Sequence, residues 1–344
     1  MSTIKEIATK AGVSPTTVAN VLHGKTNKVS QATKEKVQAI LDAENYAPNM
    51  GAMILVRNNS RIIGVIMFMK PRQGESVLED PFSSAILGAM EREIRMKGYY
   101  MMLCITSDEN EAVRLSKAWK MEGLILVWVP DKICRIINRS IDTPIVYIDC
   151  YFSDEDHVYH NVGLEDRKGG YEIARYLLSM GHQSILFMAN NRFLLGGDPQ
   201  RFLGCQDAFK EKGLILSDDR FSALPVNRKD RLDLYRSMYE NNFPCTALVF
   251  SSDYYAAESL SFFKDCDIKI PQQISITGFD DNMYSRLVNP RLTTIHQDSR
   301  EKGRIAIDML MKLMHNEVVE KPNILLPVRL VVRDSVKDLR DQST

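Results

Sequence analysis

Apolar residues near the start of the chain recur three and four positions apart, in three short runs separated by turn residues. Thr3-Ile4-Lys5-Glu6 has capping-box spacing, and Ile4, Ile7, Ala8 and Ala11 then share one helical face until Gly12 ends it. Ser14 suits an N-cap, and Pro15 follows at the first helical position, where its missing N–H costs nothing. Pro15 is therefore expected to begin a helix that stops at Gly24. Val18, Val21 and Leu22 turn inward, and Thr16, Thr17 and Asn20 outward. Ser30 caps a third helix with Val37, Ile40 and Leu41 inward. Two helices joined by a turn of about three residues spell a helix-turn-helix. The same spacing also fits a small helical cap with solvated Thr and Asn.

From Arg61 the pattern changes. Continuous apolar runs such as "IIGVIMFM", "GLILVWV", "PIVYID", "SILFMAN", "TALVF" and "QISITGF" alternate with stretches of helical period. Strands without polar alternation belong to parallel sheets covered on both faces. The predicted fold is an all-α helix-turn-helix head followed by an α/β body of two Rossmann-like subdomains. In such a body, ligands bind where strand ends face a cleft.

Charge sharpens this division. The 344-residue chain has a formal net charge of zero, yet residues 1–60 carry seven basic side chains against four acidic ones. A basic head on a slightly acidic body suggests that the head alone meets a polyanion. The six cysteines are scattered without a C-x-x-C pair, and read as reduced, mainly buried small hydrophobes. There is no membrane-length apolar run and no signal-like stretch, so a cytoplasmic protein is expected.

The segment "TIKEIATKAGVSPTTVANVLHG", continuing through "VSQATKEKVQAILDAENYAPN", closely resembles the head of the lactose-repressor/galactose-repressor (LacI/GalR) family. The resemblance implies that Pro15, Thr16 and Asn20 read bases, with Thr3, Ser14, Thr17, His23 and Asn49 also facing DNA. Asn20 stands where the family usually has Arg. Asparagine pairs bidentately with adenine and arginine with guanine, so a different operator is expected. "MGAMILVR" then matches the family's hinge helix, which implies that Leu55 wedges into the minor groove with Ala52 beside it. Gly51 is a poor helix former, and the segment also fits a packed linker strand.

The resemblance extends through "NVGLEDRKGGYEIARYLLSMGH", R-x-x-G at Arg201 to Gly204, "TALVFSSDYYAAESL", "PQQISITGFDD" and "NPRLTTIHQD". It implies a body of periplasmic-binding-protein type crossed three times by the chain. The expected boundaries are a DNA-binding domain at 1–48, a hinge at 49–60, an effector-binding domain at 61–338 and a tail at 339–344. One subdomain takes about 61–159 and 294–322, the other about 160–293 and 323–338. The resemblance also implies effector contacts at Phe82, Ser83, Asp149, Arg201, Ser252 and Asp280, with Arg201 and Asp280 facing each other across the cleft. Planar charged groups and aromatic faces suit a sugar.

The expectation is a homodimeric repressor of a near-palindromic operator, switched by a sugar or sugar derivative. The rival readings are control by a protein partner, or a sugar-processing enzyme. The sequence carries no G-x-S-x-G elbow, P-loop or H-E-x-x-H motif, and no catalytic residue, metal ligand or cofactor is assigned.

Overall fold

A computed structural model describes residues 3–22, 29–46, 59–69, 76–153, 158–190 and 196–340. The chain divides into two units, Met1–Ser60 and Arg61–Thr344.

In the first unit, α1 spans Ile4–Ala11, α2 Pro15–Leu22 and α3 Gln31–Ala43. Both halves of the Thr3–Glu6 capping box form, and Gly12 closes α1 in the left-handed region at φ 69°. Any other residue would be strained there. Pro15 opens α2, and the Ser14 hydroxyl accepts from the Thr17 amide at 3.1 Å. Ser30 caps α3 in the same way. Ile7, Ala8, Ala11, Val18, Val21, Val37 and Leu41 form the buried centre where the three helices meet.

The second unit opens with β1 Ile62–Phe68, α4 Pro81–Met96, β2 Tyr100–Thr106, α5 Glu109–Ala118, β3 Gly123–Val127, α6 Asp131–Ser140, β4 Ile145–Ile148 and β5 Asn161–Leu164. Next come α7 Asp166–Ser179, β6 Ile185–Ala189, α8 Gly197–Glu211, β7 Phe221–Ala223, α9 Arg228–Glu240 and β8 Ala247–Phe250. The remaining elements are α10 Asp253–Asp265, β9 Ser275–Asp280, α11 Met283–Leu287, β10 Thr293–His296, α12 Ser299–Met314, β11 Asn323–Leu326 and β12 Arg329–Val331.

Two six-stranded sheets result, in the orders β11-β5-β4-β3-β1-β2 and β12-β10-β9-β8-β6-β7. Every pairing is parallel except β10 with β12. Central strands such as β3, β4, β6 and β8 are buried along their whole length, as helices on both faces require.

The chain changes sheets after β5, β10 and β11. Each change comes a few residues later than the boundaries at 159/160, 293/294 and 322/323 that the sequence suggested. Those approximate boundaries came from resemblance, which marks the crossings without marking the last residue of each strand. The Asn161 amide donates to the Asn323 side chain at 3.1 Å, between β5 and β11. Thr293 and Thr294 are buried inside the second sheet. All six cysteines are free thiols, four of them buried.

Candidate DNA-reading helix and effector cleft

In the first unit, Val18 and Val21 pin one face of α2 into the core. The opposite face presents Pro15 and Thr16 exposed, with Thr17 and Asn20 half-buried. Thr17 shares a 2.9 Å hydrogen bond with the Ser14 hydroxyl, so these two side chains also serve the helix start. Thr3 does the same for α1, its hydroxyl accepting from the Glu6 amide. Of the other head residues implicated by sequence, His23, Asn49, Gly51, Ala52 and Leu55 lie outside the described residues.

In the second unit, a cleft of about 1350 Å³ lies at the carboxyl ends of both sheets. Phe82, Ser83, Asp149, Arg201, Ser252 and Asp280 all line it. The first three come from the half built on the first sheet, at the start of α4 and just after β4. The other three come from the second half, on α8, just after β8 and at the end of β9.

A helix crossing positions Arg201. A Cβ on Gly170 of α7 would sit 1.7 Å from the Arg201 carbonyl oxygen. A Cβ on Gly204 of α8 would sit 1.9 Å from that of Arg167. Glycine at both positions lets α7 and α8 touch through their backbones. This contact brings Arg201 of α8 to Asp166 at the start of α7, Nε to Oδ1 at 2.8 Å. The guanidinium also donates to the Ser251 carbonyl at 2.5 Å and lies 3.6 Å from the Phe279 ring centroid. Tyr151 donates its hydroxyl to the other Asp166 oxygen.

Arg201 and Asp280 therefore do not face each other across the cleft, as the resemblance implied. Both belong to the second half, and the hydrogen-bonded partner of Arg201 is Asp166. Asp280 accepts from the Gln297 amide at 2.6 Å and from the Ser252 hydroxyl at 3.3 Å. Burial pushes its carboxyl up to about 7; Arg201 pulls it down and Asp80 pushes it further up.

The floor of the first half is an ion pair. The Lys302 ammonium, with a side chain only 1% exposed, donates to both Asp149 oxygens at 2.7 and 2.8 Å. Its third bond goes to Gln297 Oε1 at 3.1 Å, and it lies 5.1 Å from the Phe82 ring centroid. Burial raises the Asp149 carboxyl, while Lys302 opposes that shift. Gln297 thus joins an ion pair of the first half to a carboxylate of the second, from the segment where β10 leads into α12. Above this floor, Phe82 and Trp128 stack at 5.9 Å and form an apolar wall.

Residues 3–49 match the model of bacterial regulatory proteins of the lacI family, and residues 174–336 that of the periplasmic binding protein-like domain. The HTH-type transcriptional repressor PurR of Photobacterium profundum is 27% identical, over 98% of this chain and 100% of its own. The HTH-type transcriptional regulator RegA of Clostridium saccharobutylicum is 26% identical, over 97% and 99%. A crystal structure of the lac repressor dimer bound to operator and the anti-inducer ONPF superposes with a TM-score of 0.83. It is 25% identical and covers 98% of this chain and 99% of that one. The chain belongs to the lacI family of bacterial regulatory proteins. The complex of the transcriptional regulator CelR with cellobiose shares the fold at a TM-score of 0.71 and 19% identity, over 97% of this chain and 100% of that one.

This lacI-family chain is a DNA-binding transcriptional regulator, and the relatives named above are regulators rather than enzymes. Among the described residues no helix is long and apolar enough to cross a membrane.

Sequence reasoning missed Asp166, Gln297, Lys302 and Trp128. Asp166 had a readable signal, since an acidic residue just past a strand suits a helix start. Gln297 sits in "TTIHQD", a stretch already noted for its resemblance. Lys302 had no signal, because lysine on a helix is ordinarily solvated.

Proposed function

We propose that this regulator represses transcription as a homodimer on a near-palindromic operator, and that a sugar or sugar derivative bound in the cleft resets its affinity for DNA. The observation carrying the effector reading is the cleft itself. It sets buried carboxyls from two halves, Asp149 paired with Lys302 and Asp280 bonded to Gln297 and Ser252, beside an aromatic wall, the mixture that recognises hydroxyl pairs on an apolar ring face.

A ligand that touches Asp149 and Phe82 on one side and Arg201 and Asp280 on the other favours one angle between the halves. Gln297, bonded to both sides of the chain crossing, links that angle to occupancy. The ligand's differential affinity for the two angles is the coupling energy, and operator and effector affect each other reciprocally.

In the head, α2 enters the major groove with Asn20 reading adenine, and Leu55 serves as the minor-groove wedge. Support for the dimer comes from the lac repressor dimer of the same fold. It also comes from large apolar side chains left exposed on α11, Met283 at 55% and Leu287 at 72%. The test selects an operator from random duplex with the full chain. Operator affinity is then titrated with and without sugars that raise the melting temperature of the protein.

A further inference from the structure

The helices that start at the cleft share one feature. A helix N-terminus concentrates partial positive charge and is a ready anion site. Here each one already carries a carboxylate of the chain. Asp80 caps α4, accepting from the Ser83 amide at 3.1 Å and its hydroxyl at 2.7 Å. Asp131 opens α6, Asp166 opens α7, Asp198 is the second residue of α8, and Asp253 opens α10. Four of these five line the cleft, and Asp253 is buried behind it.

The buried cations are committed in the same way. All three donors of Lys302 are used, two on Asp149 and one on Gln297. Arg201 is bonded to Asp166, stacked on Phe279, and has Asp198 at 4.0 Å. On α6, Lys132 and Arg139 also line the cleft but are exposed, where water and salt screen them. Arg135 is bonded to Asp131 and Ser153. Asp280 is left with neutral hydrogen-bonding partners, Gln297 and Ser252.

A phosphate or carboxylate entering this wall would meet carboxylates at each helix start and would have to displace one of them from its cation. A hydroxyl pays neither cost. It can donate to Asp280 or to the remaining lone pairs of Asp149, and its ring can rest on Phe82 and Trp128. We infer that the cleft takes an uncharged polyhydroxyl ligand, a sugar or polyol without phosphate or carboxylate groups, because the chain's own carboxylates occupy the anion-binding positions among the described residues. This inference rests on the effector reading above and narrows it to one chemical class.

The test is thermal melting of the full chain against uncharged mono- and disaccharides and alditols, each beside its own phosphate ester. Calorimetry follows for every compound that shifts the transition. The expected result is at least one uncharged member that binds, with its phosphate ester roughly 100-fold weaker. Asp198→Asn removes one carboxylate from the start of α8 and should narrow that gap by about threefold. A phosphate ester that binds as tightly as its uncharged parent overturns the inference. If Asp280→Ala abolishes that binding, the effector cleft itself still stands. If no compound of either series binds, the inference and the small-molecule reading both fail, while selection of an operator by the same protein remains a separate result.

Discussion

The head and the body bury different kinds of side chain. Among the described residues of the head, the buried centre is apolar, seven Ile, Val, Leu and Ala side chains from α1, α2 and α3. The body buries charges. Arg231 is fully buried and fork-bonded to Glu258 at 2.8 and 3.0 Å, Lys302 is held by Asp149, and Asp166 by Arg201. The head can therefore keep Thr16 and Asn20 on a surface that its fold does not need. In the cleft, the residues proposed to recognise the effector are the ones that hold the architecture. On the proposed reading, a change there alters stability and binding together, whereas a change at Thr16 or Asn20, which make no capping bond among the described residues, alters binding alone.

The largest expected effect tests the body. Lys302→Met leaves the Asp149 carboxylate buried without its cation and should cost about 3–5 kcal/mol of stability. Combining it with Asp149→Asn should recover more than half of that loss, because a buried pair replaced on both sides costs far less than one broken on one side. Urea unfolding of the three variants checks this. Equal losses in the single and double variants would mean that the pair does not behave as a unit.

Next comes the head. Ile7→Ala opens a hole in its small core and should cost about 2–5 kcal/mol. The loss should appear as an early-melting helical transition in circular dichroism, with the body transition unmoved. A fall in both transitions would break the contrast between the two regions.

Asn20→Ala should leave the melting curve within about 0.5 kcal/mol of wild type. It should relax base preference at one symmetric position by about 1–3 kcal/mol per half-site. Binding to a library of single-base operator variants measures this.

The last effect is a pH dependence. Asp280 is held near 7 by burial, above the ordinary carboxylate range, so between about pH 4 and pH 7 the folded chain keeps a proton that the unfolded chain releases. This stabilising contribution is full below the unfolded value and is lost as pH rises through 7. Asp280→Asn has no such proton, and its melting temperature should fall less than that of wild type between pH 5 and pH 8.

The two regions also differed in how much of them could be read from sequence. Thr3–Glu6, Gly12, Pro15 and Ser30 act on neighbours within four residues, so their roles are written locally. The alternation of strands and helices in the body was legible for the same reason. Resemblance implied three crossings between sheets, but the residues at which they occur were not legible, because β5 pairs with β11 across more than 150 residues of chain. The cleft was half legible. Resemblance pointed to Arg201, Asp149 and Asp280, but the groups that hold them, Asp166, Lys302 and Gln297, come from distant elements. Gly170 and Gly204 are the physical reason Arg201 meets Asp166, and a glycine inside a helical pattern does not announce which helix it touches.

The central claim is that occupancy of the cleft changes the affinity of the head for its operator. Fluorescence anisotropy of wild type and Asp280→Ala on the selected operator, with and without a saturating sugar identified by melting, tests it directly. The account predicts a 5- to 150-fold change in wild-type affinity, which corresponds to about 1–3 kcal/mol of coupling. It predicts no change in Asp280→Ala, which should still bind the operator. A wild-type protein that calorimetry shows to be fully occupied, yet whose operator affinity is unmoved, would contradict it.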